Sequence, residues 1–314
     1  MMQEMTGRAR LFVVGSFVAA CTAKVSHLPA LGETLAASAF ALEPGGKGFN
    51  LAVAARRLGA EVDGVFAVGD DALGLLAGPA FDEAGLAREA LVPVGGRTGA
   101  GVGFIASGGE TCLAVHPGAN GLLAAEHIEA RRAAIEAADL TLAQFEVGDA
   151  AVESAFAIAR RAGRPTLLNP SPFRASCESL LPLTSILCVN AVEAASLAAL
   201  LGVPADDPGA LAAATLRRGP EALVVTAGAE GATAYLADAE APIRQAAFPV
   251  AAVDTLGAGD AFAAGLAVAL GEQADWRAAM RRAAACGALT AAVFGVFDAL
   301  PGRAAVDLMT AEAR

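Results

Sequence analysis

Short apolar runs alternate with longer helix-forming stretches along most of the chain. Such alternation is typical of a parallel, doubly wound sheet covered by helices, and the ligands of these sheets bind beyond the carboxyl ends of the strands. The sequence therefore predicts an α/β fold. The predicted strands are residues 11–14, 62–68, 140–143, 166–168, 186–189 and 223–226. The predicted helices are one that is closed by Gly59, then 72–85, 150–162, 191–201 and 207–217.

Two stretches depart from this alternation. Residues 17–43 and 98–116 contain short, punctuated runs that suit small strands better than helices. Within the second stretch, Ser107-Gly108-Gly109-Glu110 is a hairpin signal. We expect the two stretches to pair with each other and form a small flap beside the main sheet.

Composition narrows the class of protein. Hydrophobic residues make up 55% of the chain and the mean hydropathy is +0.53, but they are mostly Ala, Val and Leu interrupted by glycines and charges, which predicts a large core and no membrane span. The net charge is −11, and no block rich in Lys and Arg with interleaved aromatics occurs, which argues against nucleic acid as a partner. Any phosphate site must therefore be local.

The cysteines and the N-terminal segment are evidence for the cellular location of the protein. Five cysteines are scattered without a C-x-x-C pair and three histidines lack ligand spacing, so we expect reduced thiols and a cytoplasmic protein. Arg8 and Arg10 followed by an apolar run to Cys21 imitate a lipoprotein signal. Because Gly15-Ser16 shortens that run, we favour a first strand over a signal.

The segment from Val253 to Phe262 carries the strongest chemical signal. Two glycines flank Ala258 directly before Asp260, and an apolar helix follows. The backbone N–H groups of Gly257, Ala258 and Gly259 could therefore bind an anion at a helix N-terminus. Asp260 beside a bound phosphate could accept a proton from an attacking hydroxyl, which indicates phosphoryl transfer. The alternative is an ordinary tight turn with an acidic residue favoured by the helix dipole.

A second glycine-rich turn, residues 44–50, leads into a helix that ends at Gly59. Lys47 and Asn50, next to Gly46, can donate hydrogen bonds to hydroxyls or to an anion. The turn is not a Walker A loop, since no G-x-x-x-x-G-K-[ST] string occurs there. The alternative is a plain connection with an exposed lysine.

Polar residues at the ends of later strands are weaker candidates. Glu146 could face the crevice or simply start a helix. Asn190 and Glu193 could serve a phosphate and a hydrated magnesium ion, or could form a capping pair. Thr226-Ala227-Gly228-Ala229-Glu230-Gly231 could back a nucleotide or form a hairpin.

Taken in order, these motifs resemble the ribokinase-like (PfkB) family of carbohydrate and nucleoside kinases over essentially the whole chain. The resemblance implies one domain, residues 1–314, built as a three-layer αβα sandwich with a mostly parallel sheet and a small β-lid. It also implies transfer of the ATP γ-phosphate to a substrate hydroxyl. The motifs that carry the resemblance are Gly45-Gly46-Lys47-Gly48-Phe49-Asn50, Val68-Gly69-Asp70-Asp71, Pro117-Gly118-Ala119-Asn120, Gln144-Phe145-Glu146, Asn169-Pro170-Ser171-Pro172, Asn190-x-x-Glu193, Thr226-x-Gly228-x-x-Gly231 and Asp254-Thr255-Leu256-Gly257-Ala258-Gly259-Asp260.

The resemblance implies a role for each candidate residue. Asp260 matches the catalytic base, and Gly257, Ala258 and Gly259 match the anion hole. The remaining matches are substrate contacts at Gly46, Lys47, Asn50 and Glu146, magnesium and phosphate contacts at Asn190 and Glu193, a nucleotide wall at Thr226, Gly228 and Gly231, and a monovalent-cation (K⁺) site at Asp254 and the turn around Gly295.

Two positions depart from the family pattern. Ala20 stands where sugar kinases of the family usually carry an acidic residue that grips two hydroxyls, and losing such a contact costs on the order of 1.5–3 kcal/mol of sugar binding. Ala284 stands where an asparagine near the adenine is common. Ribose is therefore not a safe assignment, although a sugar or sugar-like substrate remains the leading hypothesis.

Three further expectations stay open at this point. A nucleoside kinase would use the space beside Ala20 for a base, and a ligand sensor would keep the nucleotide site without turnover. The open strand edges of the lid also predict a homodimer in which two lids pair.

Overall fold

A nine-stranded sheet runs through the computed structural model, which describes residues 7–108 and 110–312. Its spatial order is β13-β12-β11-β10-β9-β8-β1-β4-β5, and every neighbouring pair from β11 to β5 is parallel. The two strands beyond β11 are antiparallel. The strands are β1 (Arg10–Gly15), β4 (Glu61–Val68), β5 (Leu91–Pro93), β8 (Leu140–Gln144), β9 (Thr166–Asn169), β10 (Ile186–Asn190), β11 (Ala222–Thr226), β12 (Ala232–Leu236) and β13 (Ile243–Gln245).

Helices cover both faces of this sheet, and each face has its own apolar core. The first core takes side chains from α1 (Lys47–Arg57), α2 (Ala77–Ala84), α9 (Ala258–Gly271), α10 (Trp276–Ala291) and α11 (Arg303–Glu312). The second takes them from α3 (Ala125–Glu129), α4 (Arg132–Ala137), α5 (Asp149–Arg161), α6 (Cys177–Leu180), α7 (Ala191–Leu201) and α8 (Pro208–Leu216). The protein is thus a three-layer αβα sandwich, as the sequence predicted.

Strand β1 shows why the sheet is central. Leu11 and Val13 belong to one core, while Phe12 and Val14 belong to the other, and all four side chains are buried. Because successive side chains of a strand point to opposite faces, a strand covered on both sides is apolar throughout. The run before Cys21 therefore forms a core strand, as favoured over a signal segment.

A separate four-stranded sheet forms the lid. Its strands are β2 (Val18–Val25), β3 (Ala39–Gly45), β6 (Gly99–Ala106) and β7 (Thr111–His116), in the order β3-β2-β6-β7. The pairing of β2 with β6 joins the two punctuated stretches of the sequence. The buried Asn120 fixes the root of the lid, since its side chain donates to the carbonyl of Phe17 and accepts from the amide of Phe17.

The helix expected over residues 72–85 begins later than its pattern indicated. The chain first forms a short 3₁₀ turn at Gly74–Leu76, and α2 starts at Ala77. The carboxylate of Asp71 accepts hydrogen bonds from the amide of Gly74 and from the amide and hydroxyl of Thr98. These bonds, of which the one from the Thr98 hydroxyl has the largest effect, lower the pKa of Asp71. The carboxylate of Asp71 therefore joins this turn to the start of β6.

Within residues 7–108 and 110–312, no helix combines the length and the apolar character needed to cross a bilayer. The assignment of the whole chain to one domain stays a prediction, as does its cytoplasmic location.

Candidate active site

The glycine-rich turn before α1 lies directly against the end of β1. A Cβ atom on Gly48 would lie 2.2 Å from the Cα of Gly15, a separation that atoms cannot adopt, so only glycine allows this approach. Gly46 precedes the helix as its N-cap, next to the backbone of Ser16. This contact places the first turn of α1, with Lys47 and Asn50, at the carboxyl end of β1.

Asp260 in the first turn of α9 meets both polar residues of α1. The side-chain Nδ2 of Asn50 donates to Asp260 Oδ2 at 2.9 Å, and Lys47 Nζ lies 3.7 Å from Asp260 Oδ1. Asp260 is only 4% exposed, so its carboxylate is buried at the side of the cleft. The structure thus brings Asp260 into contact with two predicted site residues, Lys47 and Asn50, that lie more than 200 positions before it in the chain.

Negative charge surrounds Lys47. The carboxylate of Asp260 raises the lysine pKa above its ordinary value, with smaller contributions in the same direction from Glu146 and Glu193, while burial opposes the shift. The side chain is 31% exposed, so solvent screens part of this attraction. Lys47 is therefore a permanently charged donor at neutral pH.

This shift gives a test by pH. Because the folded-state pKa of Lys47 is raised, its contribution to stability is fully present below the ordinary lysine value of 10.5 and is lost as the pH rises through the folded-state value. We expect the difference in free energy of unfolding between wild type and Lys47→Met to be constant from about pH 7 to 9. Above about pH 10 the wild type should lose stability relative to Lys47→Met. Urea titrations across this range measure it.

The control is the same lysine change in an Asp260→Asn background. Since Asp260 is the largest cause of the shift, the pH dependence should be much weaker there. If the difference between wild type and Lys47→Met stayed constant up to pH 11 with Asp260 present, the ion pair between Lys47 and Asp260 would be contradicted.

Ser16 links Glu146 to the glycine-rich turn. Its hydroxyl donates to Glu146 Oε2 at 2.6 Å and accepts from the amide of Gly48 at 3.1 Å and from the side chain of Gln144. Glu146 Oε2 also accepts from the amide of Lys47 at 2.8 Å. Sequence reasoning treated Ser16 as a strand break, although a hydroxyl at a strand end is the signal that could have found it.

The turn before α9 presents free amides. In the described part of the chain, the N–H groups of Gly257, Gly259 and Asp260 have no backbone or side-chain acceptor, whereas Ala258 N lies 3.3 Å from the carbonyl oxygen of Thr255. The unpaired donors sit at the positive end of the α9 dipole. Donors arranged in this way can bind an anion, and Ala258 is the member of the predicted trio whose N–H already lies near an acceptor.

Asn190 and Glu193 form a capping box and also face the cleft. Asn190 Oδ1 accepts from the amide of Glu193, and Glu193 Oε2 accepts from the amide of Asn190, each at 2.9 Å. Both side chains line a cavity of about 210 Å³ beside Asp260. Glu193 Oε1 has no hydrogen-bond partner among the described residues, so this carboxylate can cap α7 and still accept from the water shell of a metal ion.

The same cavity gathers a large share of the predicted site. Thr226 at the end of β11 lines it, as do Ser171 of the Asn169–Pro172 motif and Cys188, to neither of which the sequence analysis gave a role. Gly228 and Gly231 follow Thr226 in the chain, at the two ends of the 3₁₀ turn after β11. A Cβ on Gly231 would meet the carbonyl of Gln245 in β13. The predicted site residues that line the cavity are Lys47, Asn190, Glu193, Thr226, Gly257, Gly259 and Asp260.

Asp254 joins two loops at the rim. Its Oδ1 accepts from the amide of Leu256 at 3.0 Å and its Oδ2 from the amide of Gly295 at 3.2 Å. The aspartate and the Gly295 turn are therefore neighbours, as predicted. Among the described residues, no three His, Cys, Asp or Glu side chains are grouped as a metal site.

A larger cavity, about 380 Å³, opens at the opposite end of the main sheet. Leu140, Ile186 and Trp276 line it, with Asp139 and Glu221 at the amino ends of strands. Ligands of parallel α/β sheets bind at the carboxyl ends of strands, where the free amides and Asp260 lie. We therefore take the smaller cavity as the active site.

Comparisons with known proteins match nearly the whole chain. A family model described as pfkB family carbohydrate kinase matches residues 8–302. The chain is 33% identical over 300 residues to the ribokinase of Haemophilus influenzae, which covers 94% of this chain and 96% of that protein.

Two solved structures share the fold. The ribokinase of Thermotoga maritima superposes with a TM-score of 0.87 at 25% identity, covering 96% of this chain and 99% of that chain. Arabidopsis thaliana ribokinase, complexed with ribose and ATP, gives a TM-score of 0.84 at 29% identity, covering 97% and 99%. These likenesses confirm the predicted fold class.

Proposed function

The chain belongs to the pfkB family of carbohydrate kinases, and on that premise we propose that it transfers the γ-phosphate of ATP to a hydroxyl of a small sugar or sugar-like substrate. One observation carries the proposal: the buried carboxylate of Asp260 lies in the first turn of α9, beside unpaired amides and within reach of Lys47 and Asn50. The ribose and ATP held by the Arabidopsis relative fit the same chemistry.

Asp260 acts as the general base in this proposal. Asn50 orients the carboxylate through Oδ2, which leaves Oδ1 and its remaining lone pairs toward the cleft and Lys47. A substrate hydroxyl placed there would lose its proton to Asp260 as it attacks the γ-phosphorus, and the bond to the leaving ADP oxygen breaks. General bases of this kind contribute about 10²–10⁴-fold to the rate.

The amides and the lysine would hold the charge of the transferring group. In this proposal the free N–H groups of Gly257 and Gly259 would donate to the phosphoryl oxygens, and donors fixed in advance stabilise developing charge without reorganisation. Lys47, permanently protonated, adds a positive charge from the other side. Thr226, Gly228 and Gly231, at the end of β11, would back the nucleotide.

The residues present also fit the expected ions. Mg²⁺ keeps several waters and binds through few carboxylates, which suits the single unpaired oxygen of Glu193 beside Asn190. When bound, the ion would neutralise phosphate charge. For K⁺, the junction of Asp254 and the Gly295 turn offers a carboxylate whose further lone pairs remain available.

A coupled assay for ADP release tests the proposed function. Purified protein with ATP and magnesium would be offered D-ribose, 2-deoxy-D-ribose, D-fructose and a set of nucleosides, with KCl compared against NaCl. Sugar-dependent release of ADP is the expected result. Release with nucleosides alone would favour the nucleoside kinase, and tight ligand binding by calorimetry without ADP would favour the sensor.

We also propose a homodimer formed through the lids. The lid face that carries Phe40, Leu42 and Val102 leaves these side chains 69%, 43% and 53% exposed, and β3 and β7 are open edges. A second copy could cover this apolar face. We expect dimers at micromolar concentration in sedimentation velocity and monomers for Leu42→Glu; a monomeric wild type would contradict the proposal.

A further inference from the structure

We infer that Glu43, on lid strand β3, binds a pair of substrate hydroxyls and so serves as the specificity residue of the lid. The inference rests on the proposed function and names the substrate class of that site: a sugar with two neighbouring hydroxyls away from the phosphorylated one. Neither the motifs nor the site residues described above include Glu43.

Strand register places Glu43 next to Ala20. In the antiparallel pair of β2 and β3, Ala20 lies directly opposite Glu43, and on its other side Ala20 pairs with Gly101 of β6. Directly opposite residues point to the same face of a sheet, with Cβ atoms about 4.5–5.5 Å apart. Glu43, Ala20, Gly101 and Val115 therefore form one row across a single face of the lid.

This face looks into the cleft. Lys24 has the same orientation as Ala20, since it lies four residues along β2, and its Nζ is 5.7 Å from the ring centroid of Phe294. Phe294 adjoins Gly295, which is bonded to Asp254 at the rim of the active site. Phe40 and Leu42, of the opposite parity on β3, point away from the cleft.

The row itself explains why Glu43 is needed. Ala20, Gly101 and Val115 offer no side-chain hydrogen bond, so a polyhydroxy substrate covered by this row would lose water contacts without replacement. Glu43 supplies the missing acceptor. Its carboxylate is exposed, and in residues 7–108 and 110–312 it has no hydrogen-bond or ion-pair partner.

The base of this row also lies close to the catalytic turn. Gly45 is the last residue of β3, and Gly46 and Lys47 follow at once. A Cβ on Gly45 would lie 3.7 Å from the Cβ of Ala20, so Ala20 and Glu43 stand directly above the turn that carries Lys47. A substrate that touches Asp260 with one hydroxyl can thus present its far side to Glu43.

Steady-state kinetics of Glu43→Gln test the inference. The probe is whichever of D-ribose, D-xylose and D-fructose gives the wild type its lowest KM, since each of these sugars carries neighbouring hydroxyls. A carboxylate that accepts from two hydroxyls should raise that KM about ten- to a hundredfold when it is replaced, with kcat changed less than about threefold. Glu61→Gln, an exposed carboxylate at the start of β4, is the matched control and should leave KM unchanged.

A second variant tests the geometry. Moving the carboxylate across the register in a Glu43→Ala, Ala20→Asp double variant should recover most of the lost affinity, whereas Glu43→Ala alone should not. A KM for Glu43→Gln within about twofold of wild type, with sugar turnover intact, would overturn the inference alone. Absence of turnover with every sugar of the panel would overturn the proposed function as well, so the two failures are distinguishable.

Discussion

Asp260→Asn is expected to lower kcat by about 10²–10⁴-fold in the ADP-release assay, with a much smaller change in KM. Asparagine has nearly the shape of aspartate but cannot accept a proton at neutral pH. The buried position of Asp260 and its hydrogen bond from Asn50 hold the side chain in one place, so the substitution removes the proton acceptor with little change of shape. The loss should therefore fall on the chemical step.

The control is Asp238→Asn, an exposed aspartate in the turn after β12. It makes the same change of charge far from the cleft and should leave kcat intact. Thermal unfolding of each variant checks that the fold is retained. If Asp260→Asn kept kcat within about threefold of wild type, the general base would have to be sought elsewhere and the proposed mechanism would be wrong.

Local patterns were sufficient for the elements of the sandwich. The run Leu11–Val14 is apolar at every position because both faces of β1 are covered, and the helix predicted over residues 191–201 is found with those bounds, since Asn190 and Gly202 cap it. The start of α2 was placed too early because the tie between Asp71 and Thr98 joins residues 27 positions apart. A hydrophobic pattern carries no record of such a contact.

Local patterns predicted individual site residues but not the contacts among them. Glycine-rich turns next to Lys47 and Asp260 indicated two places for an anion, and only the resemblance to a family placed them together. Ser16 was missed because Gly15-Ser16 was interpreted only as the end of the first strand. The role inferred for Glu43 could not be predicted from the sequence, because its neighbour Ala20 is on another strand and register across strands cannot be read from one sequence.

Two interpretations that the sequence left as alternatives turn out to be compatible. Asn190 and Glu193 form the capping pair, and the same side chains line the cavity beside Asp260. The cap fixes the orientation of both residues, and an oriented carboxylate is what an ion site needs. A structural role is thus no argument against a functional one at this position.

Gly257→Ala is expected to lower kcat by about 10²–10³-fold, as the loss of one donor from an oxyanion hole does. Gly257 has a φ of 75°, which a residue with a Cβ adopts at a cost of about 1–2 kcal/mol. The added methyl would also lie 2.7 Å from Val296 Cγ1, so either the turn or the 295–297 segment must shift. A shift of the turn, which the positive φ also favours, would turn the Gly257 amide away from its place beside Asp260.

Three further variants separate the effect of the positive φ from the effect of the clash with Val296. Gly302→Ala adds a methyl with no atom within 4 Å and without a positive φ, so it should change neither kcat nor the unfolding midpoint. Val296→Ala in the Gly257→Ala background removes the clash but not the backbone strain, and should regain part of the stability while kcat stays low. Gly259→Ala, also free of contacts, should keep the stability of wild type. Wild-type kcat in Gly257→Ala would show that the amide of residue 257 does not hold the transferring phosphate.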